Sequence, residues 1–429
     1  MKEKYIKKIN HRLNLKLIIF GALVGGCTAL FIELFEVLIN YLSKIRVELI
    51  TVFSGKYYLP LIAFAVLALF SIIIAWMLKD EPSVGGSGIA DVKSYIEKPK
   101  KINHRKRFVY KYIASVLALA SGLTVGRVGP SVHFGTMIAI EIGERYKINR
   151  ENMVYLALSG IAAGIASIFH APLAGIVFVL EVMTDDASEN VLTVLLSSVA
   201  SAYFFSSLFS YEASFPLRKL EYLPLTYYHL LLILIIISVV FAKIFSVLLV
   251  KTFTFMKRIP IKDEYLPMIP FFITGILYFV NENYVGLKLG FLLNLRESGV
   301  ISIILIYFLV KLFLTLLTFG SKVPGGLFFP VIFLGAVAGI LVFKSAELVF
   351  VIDSIYLTNF IALGIVAFLT AVYKTPLMAT VLIIELTGGF MHLVPVLIVA
   401  LFVQMGTNYL DIDPVDNLLL RYKDYFEKE

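Results

Sequence analysis

Three short glycine-bearing segments hold the residue types and spacing that could do chemistry: Gly85-Gly86-Ser87-Gly88-Ile89, Gly126-Arg127-Val128-Gly129-Pro130 and Pro324-Gly325-Gly326-Leu327-Phe328-Phe329-Pro330. Each stands where an apolar helix can start. Glycine lets backbone N–H groups come close to a ligand. The first N–H groups of a helix have no partner within it and carry partial positive charge. Three such ends converging would bind an anion without a full cationic side chain. That suits passage better than capture. A buried lysine would hold a monovalent anion too tightly to release it, whereas dipoles and the Ser87 hydroxyl bind weakly enough to pass it on. Singly, each tripeptide reads as a turn; together they read as a site.

The elements that must position these segments lie in a membrane. Of 429 residues, 59% are hydrophobic and only 16% charged, with a mean hydropathy of +0.89. Soluble domains carry roughly 25% charged residues, so this chain cannot clothe a water-facing surface of its size. The apolar runs are long and continuous, which points to an all-α integral membrane protein and not to the alternating strands of a barrel. Stretches long enough for about 30 Å of hydrocarbon fall near 17–42, 58–78, 108–125, 153–182, 191–209, 228–250, 265–280, 300–319, 327–351, 356–372 and 376–405. Gly25 and Gly26 interrupt the first. The breaks at 122–130 and 320–330 are of the kind found where a helix stops inside the bilayer to line a site.

The net charge of +8 is read as loop charge under the positive-inside rule, not as a nucleic-acid surface. Residues 1–16 carry Lys2, Lys4, Lys7, Lys8, Arg12 and Lys16, so a cytoplasmic N-terminal segment is expected. Lys98, Lys100, Lys101, Arg105, Lys106 and Arg107 form a second basic cluster. Cys27 is the single cysteine and excludes an internal disulfide.

The chain also repeats itself. Gly160–Met183 and Gly364–Thr387, offset by 204 residues, share Gly160/Gly364, Pro172/Pro376, Leu173/Leu377 and Glu181/Glu385. A weaker echo pairs Gly129-Pro130 through Gly135 with Phe329-Pro330 through Gly335. Repeat-built transporters and channels place the substrate between their halves, near the midplane. The expected divisions are 1–16, a first membrane repeat over 17–225, a second over 226–410, and a C-terminal helix and tail over 411–429 without a regulatory domain.

With these motifs in this order, the chain resembles the CLC family of chloride channels and chloride/proton exchangers. Gly86 to Ala90 is similar to the family's GSGIP, Gly126 to Pro130 to GREGP, and Gly325 to Pro330 to GGIFAP. The resemblance implies a CLC-type fold of two inverted repeats with many tilted, partly re-entrant helices. It also implies a homodimer in the lipid bilayer with one chloride path per subunit. It would assign anion contacts to the Ser87 hydroxyl, to the amides of Leu327 and Phe328, and to the amides around Gly126, Arg127, Val128 and Gly129. No cofactor, metal or nucleic acid is implied; a bacterial chain of this kind belongs in the cell membrane.

Three departures bear on mechanism. Where the family has a gating glutamate, this chain has Val128; where its exchangers have a second, inner glutamate, it has Val182. Valine cannot carry a proton, and moving protons through a membrane requires groups that load and unload. The third departure is Asp416, at the position of the family's inner tyrosine. An ionised carboxylate beside the path would repel chloride, unless Asp416 turns to solvent or caps the helix that follows. Tyr409 and Tyr422 are the expected substitutes for the phenol.

The expectation is a passive, chloride-selective channel. One alternative is a chloride/proton antiporter using Glu181, His133 or His170, although a structural role bonded to nearby backbone is favoured for Glu181, which Glu385 repeats. A membrane-embedded enzyme would need an acid–base pair or nucleophile beside the glycine segments, and none is there, so no enzymatic activity is expected. A non-conducting dimer would bind anions without flux.

Overall fold

A computed structural model describes residues 2–52, 59–97, 102–209, 220–287 and 300–427. The secondary structure is helical throughout these residues, with one isolated β-bridge, Gly126 to Gly326. The helices are α1 (Lys2–Val52), α2 (Leu59–Asp80), α3 (Ile89–Glu97), α4 (His104–Ala120), α5 (Val128–Arg145), α6 (Arg150–Phe169), α7 (Pro172–Phe178) and α8 (Glu189–Phe209). They continue as α9 (Tyr228–Arg258), α10 (Met268–Val280), α11 (Ile301–Gly320), α12 (Phe328–Glu347), α13 (Leu357–Tyr373), α14 (Pro376–Thr387), α15 (Leu393–Tyr409) and α16 (Val415–Glu427). Nine helical stretches among the described residues are long and apolar enough to cross a membrane, and the protein is a multi-pass integral membrane protein.

Two expected spans are each divided. The run 153–182 breaks at His170, which takes a left-handed conformation (φ 54°) before Pro172 restarts the chain as α7. The run 376–405 breaks after Gly388, also left-handed (φ 64°). Conversely, Gly25 and Gly26 do not interrupt α1, which runs through them unbroken. A Cβ at Gly25 would fall 1.9 Å from the Ser198 carbonyl oxygen of α8, so this glycine exists for close packing of two helices. Packing thereby overrides glycine's poor helix propensity.

The internal repeat is visible in the packing. In one half α5 crosses α6 where a Cβ at Gly135 would meet the Gly160 carbonyl oxygen at 2.0 Å. In the other, α12 crosses α13 where a Cβ at Gly335 would meet that of Gly364 at 2.5 Å. α5, α6, α12 and α13 are the most enclosed helices, and the starts of α5 and α12 meet at the Gly126–Gly326 bridge.

Candidate anion site

The three glycine segments interlock. Gly126 N donates to Gly326 O at 2.6 Å and Gly326 N donates to Gly126 O at 2.7 Å, which ties the approach to α5 directly to the approach to α12. Gly325 N donates to Gly86 O at 3.1 Å and joins the third segment. At Gly129 a Cβ would lie 2.4 Å from the Ser87 carbonyl oxygen and 2.9 Å from Gly326 Cα, so only glycine permits this crossing. Ser87, Gly126, Arg127, Val128, Gly129, Leu327 and Phe328 therefore belong to one junction.

The helix starts explain what the junction presents. Val128 opens α5 and Phe328 opens α12, and neither start has a side-chain cap. Pro130 and Pro330 occupy the third helical position in each and contribute no N–H. The first intrahelical bonds come later, from Ser131 N to Arg127 O (3.0 Å) and from Val331 N to Leu327 O (3.2 Å). The amides of residues 128–129 and 328–329 thus have no intrahelical partner. The third start is α3, where Ser87 Oγ accepts from Ile89 N at 3.2 Å. That bond uses an oxygen lone pair and leaves the hydroxyl proton for another acceptor. Val128, Leu327 and Phe328 are fully buried, and Ser87 nearly so.

Full charges are present but engaged. Arg127 pairs with Glu36 of α1. Lys111 of α4, fully buried, donates to the carbonyl oxygens of Val84 (2.8 Å), Gly85 (3.2 Å) and Gly86 (2.5 Å). It fixes the backbone immediately before Ser87. In the second half Lys311 of α11, equally buried, donates to Tyr284 O (2.9 Å) and Gly286 O. Neither lysine was singled out from sequence, although each interrupts an apolar helical run and the two are offset by 200 residues, as are Gly129 and Phe329. Lysines inside apolar spans are a strong signal for function or support.

A ring cluster walls the Phe328 side. Phe328 lies 5.0 Å from Tyr373, 6.0 Å from Phe169 and 6.4 Å from Phe178, centroid to centroid. On the Ser87 side a cavity of about 360 Å³ is lined by Gly85 to Gly88, with Lys79, Lys322, Asp91, Asp263 and Glu264 at its margin and Leu419 of α16 beside it.

The remaining candidates are dispersed. Glu181 accepts from Leu377 N (3.0 Å) and Met378 N (2.8 Å), at the start of α14. Glu385 accepts from Leu173 N (2.8 Å) and Ala174 N (2.7 Å), at the start of α7. Each half's glutamate caps the other half's helix, so the backbone Glu181 holds is not its own neighbourhood but that of the opposite repeat. Val182 sits beside it in a π-turn over Val179–Met183, partly buried against the core. His133 packs against Gly88 and near Lys111 Cε, and His170 ends α6.

Asp416 does not turn to solvent. It is 2% exposed in the first turn of α16, its Oδ1 has no hydrogen-bond partner, and it lies in electrostatic range of Lys93 and Tyr373. Burial pushes its carboxyl up to about 7, with Lys93 pulling the other way. Tyr409 is 88% exposed and away from the junction, and the Tyr422 side chain lies outside those described. Tyr373, which sequence reading missed, is the buried tyrosine that reaches Phe328.

The model of the voltage gated chloride channel family matches residues 70–405. A protein named H(+)/Cl(-) exchange transporter ClcA from Salmonella arizonae is 27% identical over 418 residues, spanning 95% of this chain and 88% of that one. Its namesake from Klebsiella pneumoniae is 27% identical over 420 residues, spanning 95% and 89%. Among solved structures, a slow cyanobacterial Cl-/H+ antiporter superposes with a TM-score of 0.87 at 22% identity, over 95% of this chain and 97% of that one. A CLC-type fluoride/proton antiporter superposes with a TM-score of 0.75 at 20% identity, over 92% and 96%. These likenesses give this chain the fold.

Proposed function

The chain belongs to the voltage gated chloride channel family, and from that premise we propose that it conducts chloride passively through the junction of α3, α5 and α12, without obligatory proton exchange. The supporting observation is Val128. It occupies the first helical position of α5, fully buried, where the family's gating carboxylate is expected. A carboxylate there would compete with chloride for the amides and carry a proton; an isopropyl group can only obstruct. Val182 removes the second carrier, and Glu181 is engaged by two backbone amides. The amides of residues 128–129 and 327–328 and the Ser87 hydroxyl are the proposed anion donors, and the assembly is proposed to be a homodimer in a cell membrane.

Proton exchange is the second reading, favoured by the names of the relatives, which are called H(+)/Cl(-) exchange transporters. It requires carriers other than residues 128 and 182, and Asp416 is the first candidate because it is buried and titratable. The deciding experiment is chloride efflux from liposomes of purified protein, with a pH electrode in the same vessel. Passive conduction gives chloride loss with no proton movement beyond leak. Protons driven uphill in fixed ratio to chloride would establish exchange.

A further inference from the structure

Among the described residues Asp416 is a buried carboxyl with no ion pair and an unpartnered Oδ1, which is a costly arrangement unless the group has work to do. The elements packed on α16 near it are α3, α9 and α13. They bring Lys93 from α3 and Tyr373 from the end of α13, while Lys243 and Lys251 of α9 line a neighbouring cavity with Asp411, Asp413 and Leu418. Lys93 is occupied by Asn417 Oδ1 at 3.1 Å. Tyr373 is 3% exposed, interacts electrostatically with Asp416, and packs its ring at a tilt of 53°, 5.0 Å centroid to centroid, on Phe328, whose amide opens α12. Tyr373 thus sits at the end of α13 with its ring on Phe328, and α13 packs against α16, which carries Asp416. A phenol so placed is within reach of two competing acceptors, the carboxylate and any anion held by the amides. It can serve only one at a time.

We propose that Tyr373 and Asp416 form a proton-linked anion subsite at the Phe328 end of the path. With Asp416 protonated, the Tyr373 hydroxyl donates to the anion. With Asp416 ionised, the carboxylate draws that hydrogen bond to itself and repels the anion across the ring. Chloride binding therefore takes up a proton from solution. The inference rests on the reading of the junction as an anion path, but not on passive conduction, because equilibrium linkage holds for channel and exchanger alike.

The test is titration calorimetry of chloride into the detergent-solubilised full-length protein at pH 5.5 and pH 8.5, repeated in buffers of different ionisation enthalpy. The subsite predicts binding about tenfold tighter at pH 5.5, with net proton uptake that the buffer series reads directly and without any variant. Asp416→Asn is expected to bind at both pH values as the wild type does at pH 5.5. Tyr373→Phe, which keeps the ring on Phe328, is expected to bind about tenfold more weakly at pH 5.5 and to lose most of the pH dependence. Equal affinity at the two pH values with no proton uptake overturns the proposal, as does wild-type behaviour of Tyr373→Phe. Ser87→Ala separates the two levels: if it weakens binding while Tyr373→Phe does not, the path stands and the subsite falls. If Ser87→Ala also binds normally, the path itself is misplaced.

Discussion

In the first half of the molecule the helix before the Pro-Leu turn ends on Phe169 and His170; in the second half the equivalent helix ends on Tyr373 and Lys374. Both final residues take the left-handed conformation, at φ 54° and 57°, and both helices restart at a proline. The backbone is duplicated while the side chains facing the centre are not. The same holds at the helix starts, where Val128 answers Phe328. Parts that repeat faithfully, namely the glycine crossings, the buried lysines and the paired glutamates, are those that hold the fold together. Parts that differ are those that face the junction. A duplicated scaffold therefore separates support from specificity. A residue with a twin in the other half is expected to affect stability, and chloride binding only where it also holds the backbone of the junction; one without a twin is expected to affect flux.

The largest test of that division concerns the lysines. Lys111→Met leaves the Val84 and Gly85 carbonyl oxygens without their donor and Gly86 O with Gly325 N alone, at about 1–3 kcal/mol for each orphaned oxygen, and frees the backbone before Ser87. A large drop in thermal stability and loss of chloride binding are expected together. Lys311→Met orphans the carbonyl groups of Tyr284 and Gly286, neither of which belongs to the three glycine segments. Its melting temperature is expected to fall comparably, while the folded fraction keeps its chloride affinity. If both variants lose binding equally, the separation of support from specificity is wrong at its strongest point.

Val128→Glu comes next. With an ordinary pKa near 4.3, the new carboxylate is ionised at pH 7 and competes with chloride for the amides of α5. Efflux is expected to fall by roughly tenfold at pH 7 and to recover toward wild type at pH 4.5, since protonation removes the charge. Phe328→Leu, at the equivalent position, introduces no titratable group and is expected to change flux without the pH 4.5 recovery that Val128→Glu shows. Unchanged efflux in Val128→Glu at both pH values would place residue 128 outside the path.

How much of this was legible in the sequence follows from the range of each interaction. The junction was legible because its parts are local: a glycine, a helix start and a proline within five residues advertise themselves. Which segment would touch which was not, and the Gly126–Gly326 bridge needed the fold. The repeat was legible in Gly160/Gly364 and Glu181/Glu385, yet the reciprocal capping was not, since spacing alone does not show that each glutamate serves the opposite half. Lys111 and Lys311 offered a readable signal, a cation in an apolar run at matching register. Gly25 misled because a glycine in isolation reads as a breaker, and the helix it fits against is 173 residues away at Ser198. Asp416 misled for a similar reason: a first-turn aspartate is normally a solvated cap, and only the packing of α3 and α13 around α16 buries it. Tyr373 was invisible because its importance comes from Phe328 and Asp416, each on a different helix.

The smallest expected effect is the most discriminating for mechanism. Glu181 and Glu385 each accept two amide hydrogen bonds at 2.7–3.0 Å from the opposite half. Replacing either by glutamine keeps one good acceptor and sets an NH2 group against the second N–H, for a loss of about 1–3 kcal/mol. Equivalent roles demand equivalent losses, so the two variants should show closely similar melting temperatures and unaltered chloride-to-proton behaviour in the liposome assay. The local geometry offers one reason for inequality: Glu181 lies in a π-turn, whereas Glu385 lies in a regular α-helix. π-turns gather at functional sites. If Glu181→Gln alone abolishes a measurable proton flux, then that turn exists to present a proton carrier, the symmetry of the capping is incidental, and the exchanger reading gains its missing inner group.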